Sequence, residues 1–112
     1  MEAKTEINPG VCNFNAVITA KTEDGQNVTF KFTSECETIK ELEKQIKEIS
    51  PVDAIASLGP EENTILSKAR KLLQNKGCCE ACIVPASAVK VMQVVTHLAL
   101  PKDVSIKIDG CS

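Results

Sequence analysis

Two runs of period-two alternation, separated by a short polar turn, constrain this chain more than any other feature. From Cys12 to Ala20 the even positions read Cys12, Phe14, Ala16, Ile18 and Ala20, with mostly polar residues between them. From Val28 the even positions read Val28, Phe30 and Phe32 against Asn27, Thr29, Lys31 and Thr33. Alternation of that kind specifies a strand with one buried face. Glu23-Asp24-Gly25-Gln26 between the runs is turn sequence, so the two strands form a hairpin. Facing residues on one side of an antiparallel pair must both belong to the buried set, which fixes the parity of the register. Centring the turn on Asp24 pairs Phe14 with Ser34, Ala16 with Phe32 and Ile18 with Phe30, and it sets Cys12 opposite Cys36; a shift of two leaves the cysteines diagonal neighbours.

Helices are expected next. Ser34-x-x-Glu37 or Thr38-x-x-Glu41 can form a capping box, and Ile39, Leu42, Ile46 and Ile49 follow at helical spacing until Pro51. Residues 53 to 58 suit a short helical turn, and 62 to 75 a second long helix that buries Ile65, Leu66, Ala69, Leu72 and Leu73 before Gly77. Pro85 opens a third, apolar around most of its circumference from Ala86 to Leu100 and closed by Pro101. Val104, Ile106 and Ile108 then alternate with Ser105, Lys107 and Asp109 as a third strand. A sheet with one polar and one apolar face requires helices on one side. The expectation is an α+β, two-layer sandwich: an about three-stranded sheet made of the β-hairpin and the C-terminal strand, with three to four helices on one face. Residues 1–10 are read as a flexible N-terminal segment and 11–110 as a single α+β domain. A sheet of three strands has open edges, which makes a homodimer that extends the sheet an admissible assembly.

At 112 residues the chain can hold a core without covalent staples. That core must be aliphatic, because there are 3 Phe and no Trp or Tyr, and the same lack removes the stacking platforms of single-strand nucleic-acid binders. A formal charge of −2 offers no field for a phosphate backbone. The basic group Lys68, Arg70, Lys71 and Lys76 falls at a helix C-terminus, where cations suit the macrodipole. Nucleic acid is thus not expected as a partner. The charged N-terminus lacks an apolar signal region, and no apolar run reaches the ~20 residues of a spanning helix. The expected location is cytoplasmic.

Six cysteines stand at 12, 36, 78, 79, 82 and 111. Cys79-Glu80-Ala81-Cys82 has the C-x-x-C spacing that lets two sulfurs share one metal ion or form a disulfide. It ends just before Pro85, so its sulfurs lie near a helix N-terminus, where thiolate is favoured. With Cys12 and Cys36 paired by the hairpin, Cys12, Cys36, Cys79 and Cys82 are the candidate metal ligands, sufficient for zinc or an iron–sulfur cluster. Cys78 is an alternative to Cys79 or a resolving thiol. The competing readings are a thiol-disulfide or sulfur-transfer protein with Cys79 or Cys82 as nucleophile, and an interaction domain whose cysteines are small buried hydrophobes. His97, the only histidine, lies ~22 Å along the last helix from Cys82 and is assigned a solvated or capping role. Triads, phosphate loops and dinucleotide fingerprints are absent.

Cys12, Ser34-Glu35-Cys36, Cys79-Glu80-Ala81-Cys82-Ile83-Val84-Pro85 and Leu98-Ala99-Leu100-Pro101-Lys102-Asp103-Val104 together resemble a group of small uncharacterised proteins from methanogenic archaea and anaerobic bacteria. The resemblance covers most of the chain after residue 10. It implies an anaerobic origin and the four cysteines as a set, and it names no reaction. Asn13 stands where the resemblance leads us to expect glycine, and Cys78 is additional.

Overall fold

The computed structural model describes residues 1–77 and 81–111. Among these, four strands make one antiparallel sheet in the order β1 (Glu2–Ile7), β2 (Ala16–Thr22), β3 (Asn27–Ser34) and β4 (Val52–Asp53). Helices α1 (Glu37–Ile49), α2 (Thr64–Asn75) and α3 (Val84–Val95) cover one face, and Ala54–Leu58 add a 3-10 turn. The α+β two-layer architecture is the one the alternation required, with four strands instead of three.

The buried residues of β2 and β3 are Ala16, Ile18, Ala20, Thr22, Val28, Phe30 and Phe32, the even set that the sequence marks as core-facing. The register is two residues away from the one centred on Asp24: Ala16 pairs with Ser34, Ile18 with Phe32 and Ala20 with Phe30. Parity is kept, so no side chain changes face. The shift originates in the turn. The Asp24 carboxylate accepts hydrogen bonds from the Gln26 N–H at 2.9 Å, the Asn27 N–H at 2.8 Å and the Asn27 side-chain amide at 2.8 Å. Thr22 Oγ1, itself buried, donates to the Asn27 carbonyl at 2.8 Å.

Hydrogen bonds from Asn27, first its side chain and then its backbone, hold the Asp24 carboxyl well below the usual carboxylate range. A folded-state value below the unfolded one contributes stability that is fully present above the unfolded value, near 3.9, and is lost as pH falls through the folded value. Wild-type and Asp24→Ala thermal midpoints should therefore differ at neutral pH and converge in strong acid. Parallel midpoint curves over the whole range would contradict this.

Two expectations at the ends of the chain are corrected. Residues 1–10 are not a flexible lead-in, because Glu2–Ile7 pair with Lys21–Ala16 along the whole of β1. The apolar signal is weak there: the helix-facing positions are Ala3, Thr5 and Ile7, and only Ile7 is fully buried. Conversely, Val104 to Ile108 form no strand, and every residue from 101 to 111 is exposed.

Helix α3 also stops at Val95, short of Leu100. His97 takes φ 62°. The Leu98 N–H donates to the Gln93 carbonyl at 2.8 Å and the His97 N–H to the Val94 carbonyl at 3.1 Å, the paired bonds of a Schellman C-cap. The capping role expected for His97 is thus carried by its backbone. Glycine adopts this left-handed conformation without a Cβ penalty. His97→Gly should raise unfolding free energy by up to about 1 kcal/mol in urea titration, and His97→Val should lower it. Equal stability of the two variants would remove the C-cap argument.

The core is aliphatic as composition demands, centred on Ile18, Leu42, Ile46, Ile65, Met92, Val28 and Val84, with Phe30 and Phe32 at its margin. Helix α1 packs on β3, α3 on β1 and β2, and α2 between the two helices. Beyond β4, the outer edge of β3 is partly closed by α1: the Phe32 N–H donates to Glu43 Oε2 at 2.6 Å.

Candidate functional site

The direction of each element decides which cysteines can meet. The hairpin turn, β4 and Met1 occupy one end of the sheet, since the Met1 amino group donates to the Thr22 carbonyl at 2.7 Å. The other end holds the close of β1 at Ile7, the start of β2 at Ala16 and the close of β3 at Ser34. Cys36 is the N-cap of α1 at that second end, with φ −74° and ψ 118°.

Helix α3 runs across β1 and β2, and its C-terminal His97 lies at the Met1 end, Nε2 3.2 Å from Met1 Sδ. Twelve helical residues span ~18 Å, about the length of β1, so Val84 and the preceding Cys82 lie at the second end with Cys36. Both cysteines are half-buried and pack against the core. Cys36 thus caps the helix that covers β3, and Cys82 lies two residues before the helix that covers β1 and β2, at the same end of the molecule.

Local contacts tie the Cys36 junction to the loop that carries Cys12. The Cys36 N–H donates to Ser34 Oγ at 3.2 Å, and Ser34 Oγ donates to the Asn15 carbonyl at 3.0 Å. The Cys36 carbonyl accepts from the Lys40 N–H at 3.0 Å as the first bond of α1, and its sulfur makes no capping hydrogen bond. The Cys36 sulfur is thus not occupied by the capping task that a serine or aspartate would perform there.

Cys12 is placed differently from the expectation. Strand β2 begins at Ala16, and Cys12 lies before it in a turn closed by the Asn13 N–H donating to the Gly10 carbonyl at 2.9 Å. It is exposed and does not face Cys36 across the ladder, where Ala16 takes the place opposite Ser34. Gly10 at φ 85° and Asn13 at φ 59° interrupt the extended backbone. Positive φ at Asn13 accounts for the glycine expected there, and asparagine tolerates that region better than most side chains. Cys12 still belongs to the loop at the second end, between Ile7 and Ala16.

Cys79, like Cys78 and Glu80, lies outside the described residues. Cys111 is exposed in the C-terminal segment. His97 stands at the opposite end from Cys36 and Cys82, consistent with its exclusion from the candidate ligands. Among the described residues, no group of three or more His, Cys, Asp or Glu side chains is close enough to hold a metal ion. No described helix is long and apolar enough to cross a membrane.

Sequence reasoning did not anticipate Ser34 as the hydroxyl joining the Cys12 loop to the Cys36 junction, nor Glu43 as a partner for the sheet backbone. Ser34 was legible as a capping candidate, but its bond to Asn15 depends on the two-residue register shift. Nothing in the sequence around Glu43 distinguishes it from the other carboxylates of α1, although its side chain is largely buried.

The chain belongs to a family of unknown function, DUF6951, which matches residues 3–108. That span takes in all of β1 but Glu2 at one end and Val104 to Ile108 at the other. Searches of curated proteins and of solved structures each gave no match.

Proposed function

We propose that this member of a family of unknown function is a metal–thiolate protein, binding zinc or an iron–sulfur cluster and acting as a carrier or partner module. The observation that supports it is the placement of two cysteines near helix starts: Cys36 and Cys82 both stand half-buried at the same end of the sheet. Helix N-termini present N–H groups and a positive partial charge, which favour anionic ligands such as thiolates. Cys79 is three chain steps from Cys82, a reach of at most ~11 Å, so the C-x-x-C pair can supply two sulfurs to one ion. Cys12 joins as the fourth ligand through movement of the exposed Gly10–Asn13 turn, whose residues are not held in the sheet.

Thiolate donors suit zinc and iron–sulfur clusters alike. When bound, zinc would supply structural cross-linking or Lewis acidity, and a cluster would supply electron transfer. The protein's own contribution is to seat two sulfurs against an aliphatic core, which limits solvent access and so tunes either group. An anaerobic, cytoplasmic setting belongs to the same reading: reduced thiols are maintained there, and oxygen-labile clusters persist.

Protein purified without oxygen should contain either about one zinc per chain or cluster iron with visible charge-transfer absorption. Cys36→Ser and Cys82→Ser should each lower metal content at least several-fold while far-UV circular dichroism persists. A metal-free protein whose thiols all titrate in the native state would overturn the proposal.

The second reading is thiol-disulfide exchange or sulfur transfer by Cys79 and Cys82, favoured by the partial exposure of Cys82. It calls for one thiol alkylated far faster than the rest near neutral pH. Uniform slow labelling would set it aside.

A further inference from the structure

The C-terminal segment is the part of the molecule least satisfied by its own fold. Val104, Ile106 and Ile108 are 61%, 66% and 86% exposed, and they alternate with Ser105, Lys107 and Asp109. Strand-type alternation is a pattern for half-burial in a sheet, and here it finds none. The segment also lies within the span that matches the family, up to residue 108.

The sheet offers a matching vacancy. Among the described residues strand β1 pairs only with β2, so its outer edge presents backbone donors and acceptors over Glu2–Ile7. On the helix side of that edge Ala3 and Thr5 are small and half-buried. A groove of about 570 Å³ follows, lined by Ala3, Lys4, Val94, Val95 and Leu100 among others. A strand laid against β1 would set alternate side chains beside Ala3 and Thr5, next to α3. Five residues from Val104 to Ile108 extend ~17 Å, close to the length of the six-residue edge.

We propose that Val104–Ile108 adds as a strand to the β1 edge of a second copy of this chain, giving a two-fold dimer with reciprocally exchanged strands. The occupant is a second copy for two reasons. Residues 101–111 are exposed throughout and so are not laid on their own edge, while every copy carries the same open edge. The segment also departs from beside the edge it matches, since Leu100 and Pro101 line the groove next to Ala3. Two copies with β1 edges facing each other about a two-fold can therefore each send the segment across the other, and each contact occurs twice. With Val104, Ile106 and Ile108 on the helix side, Lys107 falls on the polar face that carries Glu2, Lys4 and Glu6, where Lys4 already pairs with Glu6 at 3.5 Å. Antiparallel pairing of Ile106 with Ala3 and Val104 with Thr5 brings Lys107 opposite Glu2. This inference does not depend on the cysteine site.

Light scattering after size exclusion, under reducing conditions that exclude disulfide links through Cys111, should give twice the chain mass of 12.1 kDa. An Ile106→Asp, Ile108→Asp double variant should elute at the single-chain mass with an unchanged circular dichroism spectrum, because both side chains are exposed in the single chain. A single-chain mass for the wild type up to its solubility limit would overturn the proposal, as would a dimer that persists in the double variant. Protected amides in 104–108 of a single-chain species would show docking on the chain's own edge, and would overturn it equally.

Discussion

Removing Met1 to Ile7 should destabilise the protein by at least about 3 kcal/mol, out of the 5–15 kcal/mol that typifies a domain. Ile7 is 6% exposed, and burial of an isoleucine side chain is worth about 1.5–3 kcal/mol. The deletion also removes the β1–β2 ladder, leaving β2 paired with β3 alone, and takes away one of the two strands on which α3 rests. Strand β2, which carries the fully buried Ile18 and Ala20, would become a sheet edge. Urea titration followed by circular dichroism checks this. A midpoint that stays unchanged would mean that the first strand contributes nothing, as a flexible lead-in would.

Ile18→Ala should cost about 2–5 kcal/mol, because the side chain is fully buried at the centre of the four-stranded sheet and leaves a cavity lined by aliphatic residues. Phe14→Ala should cost under about 1 kcal/mol, although phenylalanine is the larger residue, because Phe14 is 47% exposed and precedes the strand. The two side chains belong to one alternating run, Cys12 to Ala20. Their contrast in unfolding free energy therefore locates the start of β2. Comparable losses at both sites would return the strand to Cys12.

That run shows what the sequence could and could not convey. Alternation fixed the faces of β2 and β3, because a buried face leaves a period-two signature whatever the register. The register itself depended on the Asp24 hydrogen bonds and on a four-residue loop, which period-two logic does not constrain. Amphipathic spacing located α1 and α2 well, and Pro51 and Gly77 marked where they end. Pro85 stands in the first turn of α3, yet the far end of that helix is set by His97 in a left-handed conformation, a state whose usual signal is glycine. Strand β1 was obscured because Ala3 and Thr5 fill its inward positions, and charges hold the outward ones. The C-terminal run erred in the opposite sense: Val104, Ile106 and Ile108 carry a strand pattern with no strand partner among the described residues.

The candidate site was legible in the same uneven way. Pro85 marked the start of α3 near Cys82, whereas α1 was expected to be capped by Ser34 or Thr38 and instead has Cys36 as its N-cap with no side-chain capping bond; topology brings those two starts to one end of the sheet. Cys12 was misplaced in detail for a local reason: positive φ at Gly10 and Asn13 ends the strand before it reaches the cysteine.

X-ray absorption at the zinc or iron edge of anaerobically purified protein tests the shared thiolate site most directly. The account predicts a shell of three to four sulfur scatterers at about 2.3 Å, with the sulfur count falling by one in Cys36→Ser and in Cys82→Ser. A metal surrounded by oxygen or nitrogen alone, or a sulfur shell indifferent to both substitutions, would contradict it.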